Sequence, residues 1–198
     1  MGNNPMSVIR AFIAIDLSPD IVQKLDQVLS DLRKWLPGAS VRWVPAKNIH
    51  LTIKFLGDVS VSNQELLTHA LQGEVSRHSS FEMGVGELGV FPSLRRPRVI
   101  WIGIEAPSEL AILHRGIETE MARLGYAPED RPFSPHLTLG RVSRNANSDE
   151  MRRIGEVLSA RKVGFLGAMR VQSVHLYRSD LQSSGSIYTC LHSSNLSS

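Results

Sequence analysis

The sequence predicts an α+β fold of two lobes that face a central cleft. Short β-branched and aromatic segments alternate with amphipathic segments of helical periodicity. The order of these segments repeats after residue 97, and no segment is long enough to link two independent domains. We therefore expect one two-lobed domain over residues 1–198, with a short polar leader at 1–8 and a polar tail at 193–198.

The first half of the chain is predicted to form a strand, a helix, two strands, a helix and a strand. The first strand, residues 9–17, is rich in Ile, Phe and Ala, and Ser18 or Asp20 caps the helix that follows. Apolar residues recur in that helix every three or four positions until Pro37-Gly38 ends it. The remaining predicted elements are strands at 40–44 and 49–56, a helix at about 61–77 and a strand at 81–90.

The second half has a similar order, and each half contains a strand, a helix, a motif strand, a helix and a strand. Its predicted elements are a strand at 98–105, a helix at 107–124, a strand at 136–142 behind a proline-rich segment, a helix at about 148–161, and closing strands at 169–178 and 186–192 around Ser183-Ser184-Gly185. The halves share few identical residues outside one motif. The repeated order therefore suggests a duplication without demonstrating it.

Composition indicates a soluble globular protein, with 42% hydrophobic and 21% charged residues. The single cysteine, Cys190, excludes an internal disulfide and fits a reducing compartment. No apolar run approaches the ~18–20 residues of a membrane span, and the start of the chain lacks the pattern of a secretory signal. A cytoplasmic protein is expected.

Positive charge is concentrated in the second part of the chain. Residues 1–90 hold 8 Lys and Arg against 9 Asp and Glu, whereas residues 91–198 hold 14 against 10. All of those 14 except Lys162 are arginine, which matches phosphate geometry in a bidentate manner. A polyanionic partner is one interpretation, and ordinary surface charge is the other.

The pattern His-Leu-Thr-aliphatic occurs twice, at residues 50–53 and 136–139, inside predicted strands. Residues i and i+2 of a strand share a face, so His50 lies beside Thr52, and His136 beside Thr138. If the two strands face each other, two imidazoles and two hydroxyls converge on one pocket. A single copy would most often be a structural histidine. Two copies in the same context favour an active site.

This pocket suits hydrolysis of a phosphodiester. A base must take a proton from water while an acid gives one to the leaving oxygen, and histidine serves both roles near neutral pH. Threonine hydroxyls can hold the non-bridging oxygens. A zinc site would need a further ligand besides two histidines. Lys54 lies on the same predicted face as His50 and Thr52, and its charge would repel a cation and attract phosphate. We expect neither a metal nor a cofactor.

Residues 41–57 (VRWVPAKNIHLTIKFLG) and 131–142 (RPFSPHLTLGRV) resemble the two-histidine (2H) phosphoesterases. Within them the chain is most similar to the bacterial and archaeal RNA 2′,3′-cyclic phosphodiesterases, also called 2′-5′ RNA ligases. Further matches are RAFIAID at 10–16, RVIW at 98–101, VHLYRSDL at 174–181 and GSIYT at 185–189, so the resemblance extends from about residue 9 to 192. It implies a bilobal, pseudo-symmetric α+β fold in which two antiparallel sheets face a central cleft, with helices packed outside.

The resemblance also implies that the enzyme opens a 2′,3′-cyclic phosphate at an RNA end to a 2′-phosphomonoester. His50 would be the general acid and His136 the general base, and Thr52 and Thr138 would bind the phosphate. By local sequence alone the two motifs are equivalent, so the sequence leaves open which histidine is the acid and which is the base.

Three further residues are candidates for substrate contact. Besides Lys54, Arg131 could contact phosphate or lie on the surface, and Phe12 or Phe133 could stack on a base or belong to the core. Alternatives to hydrolysis are 2′,5′ ligation of RNA by the same site, a non-catalytic RNA-binding module, and action on small cyclic nucleotides. A monomer is expected.

Overall fold

The computed structural model describes residues 8–182 and 185–198, and this part of the chain folds into strands and four α-helices. The strands are β1 (Val8–Ile15), β2 (Val41–Trp43), β3 (Leu51–Ser60), β4 (Phe81–Phe91), β5 (Val99–Glu105), β6 (His136–Val142), β7 (Phe165–Val171), β8 (Ser173–Gln182) and β9 (Gly185–Asn195). The helices are α1 (Pro19–Trp35), α2 (Gln64–Val75), α3 (Ser108–Arg123) and α4 (Ser148–Ser159). The predicted α+β class is confirmed.

The strands form two antiparallel arrays that meet at one residue pair. One array has the order β7-β4-β5-β6, with β2 also on β6, and the other has the order β3-β1-β8-β9. The pair Leu51–Leu137 joins β3 to β6 and makes the sheet continuous. The two predicted sheets are therefore one sheet with a narrow junction, and the two motif strands are the ones that meet there.

The two lobes do not coincide with the two halves of the sequence. Strand β4, from the first half, pairs with β5 and β7 of the second, whereas β8 pairs with β1. The predicted strand at 169–178 is wrong as one element, because β7 ends at Val171 and β8 begins at Ser173 in the other lobe. The chain crosses between lobes at Gln172, where no glycine or proline marks the break.

The ends of the chain differ from the expected leader and tail. Residues 1–7 of the predicted leader lie outside the described part of the chain, and its last residue, Val8, begins β1. The predicted tail is not free: β9 extends to Asn195, Leu196 is buried, and Ser197 bonds to the backbone of His78 and Ser80. Residues 183 and 184 of the predicted final turn lie outside the described residues.

Amphipathic helices cover the outer faces of the sheet. Helix α1 begins at Pro19, and Ser18 occupies the N-cap position without a side-chain cap bond. The residues buried by α1 and α3 have the predicted three- and four-residue spacing: Ile21, Leu25, Val28, Leu29 and Leu32 in α1, and Leu110, Leu113, Ile117 and Met121 in α3. No helix in the described part of the chain is long and apolar enough to cross a membrane.

Candidate active site

The junction of the two arrays brings the two motifs together. In the antiparallel register set by the pair Leu51–Leu137, His50 lies opposite Thr138, and Thr52 lies opposite His136. Both leucines are fully buried on the other face. The two histidines are diagonal neighbours, and such positions are roughly 7–8 Å apart. The two motifs therefore present their polar side chains to one small site between the strands.

The same backbone contact orients both imidazoles. His50 Nδ1 lies 2.9 Å from the carbonyl oxygen of Asn48, and His136 Nδ1 lies 2.7 Å from that of Ser134. Because a carbonyl oxygen only accepts, Nδ1–H is the donor in each bond. Each ring therefore keeps Nε2 free for proton transfer.

The His50 ring is packed among aromatic side chains. It stacks on Phe12, with centroids 4.7 Å apart, and meets the edge of Tyr188 at 5.2 Å. The other face of Phe12 stacks on Tyr177, whose hydroxyl donates to Asp16. Burial lowers the pKa of His50 below its ordinary value of 6.5, and the bond to Asn48 and the charge of Asp16 oppose that shift only in part.

The His136 ring has different neighbours. It meets Phe91 in an edge-on contact, with centroids 5.0 Å apart, and Trp101 lies 6.3 Å away. In the part of the chain that the structure describes, it has no stacked partner comparable to Phe12. The two motifs therefore share their strand geometry but not their packing.

A cavity of about 680 Å³ opens beside the motifs and is lined by both lobes. His50 and Thr138 form part of its wall, and Thr52 and His136 lie next to them through the strand register. Three arginines, Arg10, Arg42 and Arg141, also line the cavity. These arginines make the wall of the cavity positive in charge.

Strand β3 carries a β-bulge directly after the threonine of its motif. Thr52 lies opposite Ala14 and Lys54 opposite Ile13, so Ile53 is an extra residue without a partner on β1. An extra residue shifts the alternation of side chains between the two faces. Lys54 and Phe55 therefore lie on the faces opposite to those that simple alternation predicts.

Strand β6 has the same bulge at the equivalent position. Thr138 lies opposite Trp101 and Gly140 opposite Ile100, which makes Leu139 the extra residue. The bulge belongs to both copies of the motif and is not visible in the local sequence, since it depends on pairing with β1 or β5.

The bulge corrects the predicted role of Lys54. Its side chain is only 2% exposed, and its ammonium lies 2.8 Å from Glu118 Oε2 and 2.9 Å from the carbonyl oxygen of Ala127. The prediction that Lys54 shares the cleft face with His50 and Thr52 is wrong, because the extra residue Ile53 turns Lys54 into the core.

Phe55 and Arg141 are among the cleft residues that were not identified from the sequence. Phe55 and Arg141 each lie five positions after a motif histidine, and both line the cavity. Phe55 is 65% exposed, which leaves its ring free for a ligand. The matched spacing was a usable signal, but simple alternation places both residues on the buried face.

The other candidate contacts lie away from the cleft or are covered. The guanidinium of Arg131 pairs with Glu129 on an exposed loop and does not line the cavity. Phe133 stacks on His114 at 3.9 Å, outside the cavity. Phe12 lines the cavity but is only 3% exposed, with its ring between His50 and Tyr177, so stacking on a base is excluded and the core alternative is correct.

The described residues contain no group of three or more His, Cys, Asp or Glu side chains placed to hold a metal ion. The expectation of a metal-independent site stays a prediction.

Comparison with known proteins gives one consistent result. The model of the LigT-like phosphoesterase family matches residues 15–101 and again residues 102–188. These are two tandem stretches with one motif each, which supports the duplication suggested by the order of elements.

Two relatives named RNA 2′,3′-cyclic phosphodiesterase cover nearly the whole chain. That of Methanothermobacter thermautotrophicus is 35% identical over 91% of this chain and 95% of its own length. That of Escherichia coli K12 is 31% identical over 92% of this chain and 93% of its own.

Among solved structures, E. coli LigT complexed with 3′-AMP has a TM-score of 0.77 at 28% identity, over 97% of this chain and all of that one. TT0787 of Thermus thermophilus has a TM-score of 0.76 at 26% identity, over 94% of this chain and 97% of that one.

Proposed function

The chain belongs to the LigT-like phosphoesterase family, and from this premise we propose that it hydrolyses 2′,3′-cyclic phosphate ends of RNA to 2′-phosphomonoesters. The observation that carries the proposal is the antiparallel pair Leu51–Leu137, which places the two histidines diagonally across one small site. We further propose that the enzyme acts as a monomer in the cytoplasm.

In the proposed reaction, water attacks phosphorus and the bond from phosphorus to the 3′ oxygen breaks. His136 Nε2 accepts a proton from the water, and His50 Nε2 donates one to the 3′ oxygen. The hydroxyls of Thr52 and Thr138 donate to the non-bridging oxygens. After turnover His136 is protonated and His50 is neutral, so proton exchange with solvent resets the pair.

The packing of His50 bears on its role as the acid. Burial lowers its pKa in the free enzyme, which disfavours the protonated form that an acid must have. The cyclic phosphate brings a negative charge within reach of the ring, and a nearby opposite charge raises the pKa of an imidazole. His50 is thus best protonated with substrate bound.

Two residues outside the motifs complete the proposed site. Arg141 follows Thr138 on the cleft side of β6, and its guanidinium can hold the phosphate in a bidentate manner as negative charge develops. Phe55 offers its exposed ring to the terminal base, since unpaired RNA bases are commonly bound by stacking on aromatic side chains.

Ligation through a 2′,5′ linkage would use the same histidines in the reverse direction, with a ribose hydroxyl in place of water. Water is always present in large excess, so hydrolysis is the expected outcome. A non-catalytic RNA-binding module would bind the same ends without turnover.

The deciding experiment incubates the protein with an oligonucleotide ending in a 2′,3′-cyclic phosphate, with EDTA present. Wild type is expected to give a 2′-phosphate end, whereas His50→Ala and His136→Ala each lose activity by about 10²–10⁴-fold because proton transfer is lost. His69→Ala, at an exposed histidine of α2, is the control and keeps wild-type activity. A 3′-phosphate product would show that the leaving group is wrong, and binding without turnover would favour the RNA-binding module.

A further inference from the structure

Two arginines lie directly opposite each other in the cleft. Arg42 on β2 is the pairing partner of Arg141 on β6, so their side chains project from the same face. Like charges at directly opposite positions destabilise a sheet. The free protein therefore carries a local repulsion on the wall of its own cavity.

Among the described residues, no acidic side chain forms an ion pair with either arginine. In the described part of the chain, neither guanidinium lies within 4.0 Å of a carboxylate; the arginines that do are Arg77, Arg123, Arg131, Arg152 and Arg178. Arg10, which lines the same cavity from the other lobe, is also without such a partner. An anionic ligand is the natural counter-charge for this wall.

Arg42 and Arg141 differ in their distance from the motif. Arg141 follows Thr138 on the motif strand itself, whereas Arg42 lies one strand further from the histidines, on β2. A single phosphate between the histidines would give Arg141 an anionic partner. It leaves Arg42 facing the cavity beyond that phosphate.

The chemistry of the proposed substrate indicates what Arg42 meets. In a 2′,3′-cyclic end, both the 2′ and the 3′ oxygens are already bonded to the scissile phosphorus. The RNA can continue only through the 5′ oxygen of the terminal nucleoside. The next anion in the same cleft is therefore the phosphate on that 5′ oxygen.

We propose that Arg42 forms a second phosphate subsite, which binds the phosphate on the 5′ oxygen of the terminal nucleoside and makes oligonucleotide ends better substrates than cyclic mononucleotides. Leu181 and Ile187, two exposed apolar residues on β8 and β9, line the same cavity and offer a surface to the preceding nucleoside. The inference rests on the proposed function and deepens it.

Three substrates separate the contributions to binding. Adenosine 2′,3′-cyclic phosphate lacks the second phosphate, its 5′-phosphorylated form carries one, and the dinucleotide ApA ending in a cyclic phosphate carries an internucleotide one. Arg42→Gln is expected to lower kcat/KM roughly tenfold on a substrate that carries the second phosphate, the effect of one charge-assisted hydrogen bond, and to change kcat/KM for the unphosphorylated mononucleotide much less. Arg33→Gln, at an exposed arginine of α1, removes the same charge outside the cleft and should change none of the three values.

The pattern of loss identifies the source of the phosphate. A loss on both phosphorylated substrates shows that any 5′ phosphate is bound, and a loss confined to ApA shows that the internucleotide phosphate is required. An equal loss on all three substrates, or none on any, would overturn the subsite while the proposed function stands. If wild type opens none of the three and also fails on a longer cyclic-phosphate oligonucleotide, the proposed function is wrong and the subsite falls with it.

Discussion

Replacing Lys54 by methionine tests whether this lysine belongs to the core or to the cleft. Its ammonium is buried against Glu118 and the carbonyl oxygen of Ala127. Removing one partner of a buried ion pair costs roughly 3–5 kcal/mol, because the other charge stays buried without compensation. Glu118 is 14% exposed and lies 3.8 Å from His114, so we expect the lower end, a loss of about 3 kcal/mol in the free energy of unfolding.

Urea unfolding measures that loss, and a double variant controls for it. Lys54→Met with Glu118→Leu removes both charges and should recover much of the lost stability, since apolar replacement of a buried pair is often nearly neutral. Under native conditions the KM of Lys54→Met for a cyclic-phosphate RNA should stay close to that of wild type. A variant with the wild-type free energy of unfolding and a strongly raised KM would refute the placement of Lys54 in the core.

Two further predictions concern stability. Burial lowers the pKa of both His50 and His114 below 6.5, so on acidification the unfolded chain binds protons at these positions before the folded protein does. The stability that these two histidines contribute is present above pH 6.5 and is lost as the pH falls through their folded-state pKa values. Urea unfolding at a series of pH values should show that loss, and the loss should be smaller in His114→Phe. The same pH dependence in His114→Phe as in wild type would contradict the lowered pKa of His114. Gly155→Ala should lower the free energy of unfolding by about 1–3 kcal/mol, because an added Cβ would lie 1.9 Å from the carbonyl oxygen of Leu94. Gly73→Ala in α2 has open space at its Cβ and should stabilise by roughly 0.5–1 kcal/mol, so a loss of equal size in both variants would argue against the clash.

Elements with strong local periodicity were predicted well from the sequence. The apolar spacing of α1 and the β-branched runs of β1 and β5 place these elements within a few residues of their observed bounds. Their burial is fixed by the chain itself, because a 3.6-residue or two-residue repeat can bury only one face. The expectation that each copy places a histidine and a threonine on one side of its strand followed from the same reasoning.

Features that depend on pairing between distant strands were not visible in the sequence. The break at Gln172 exists because β7 pairs with β4 and β8 pairs with β1, a choice set by packing of the two lobes. The burial of Lys54 and the exposure of Phe55 have the same origin, since a bulge is a property of two strands together. Neither residue type by itself signals a bulge, so no local signal marks the change of face.

The duplicated geometry bears on how one motif could supply both the acid and the base of the proposed reaction. Each histidine has the same carbonyl contact two residues before it, the same threonine two residues after it, and the same bulge one residue beyond that. These shared features set where Nε2 lies in each copy. The neighbours of the two rings differ, because His50 stacks on Phe12, whereas His136 has edge-on and tilted aromatic contacts among the described residues. In the proposed reaction the strand repeat would place the two rings alike on either side of phosphorus, and we expect the different packing of the rings to separate the two proposed proton-transfer roles.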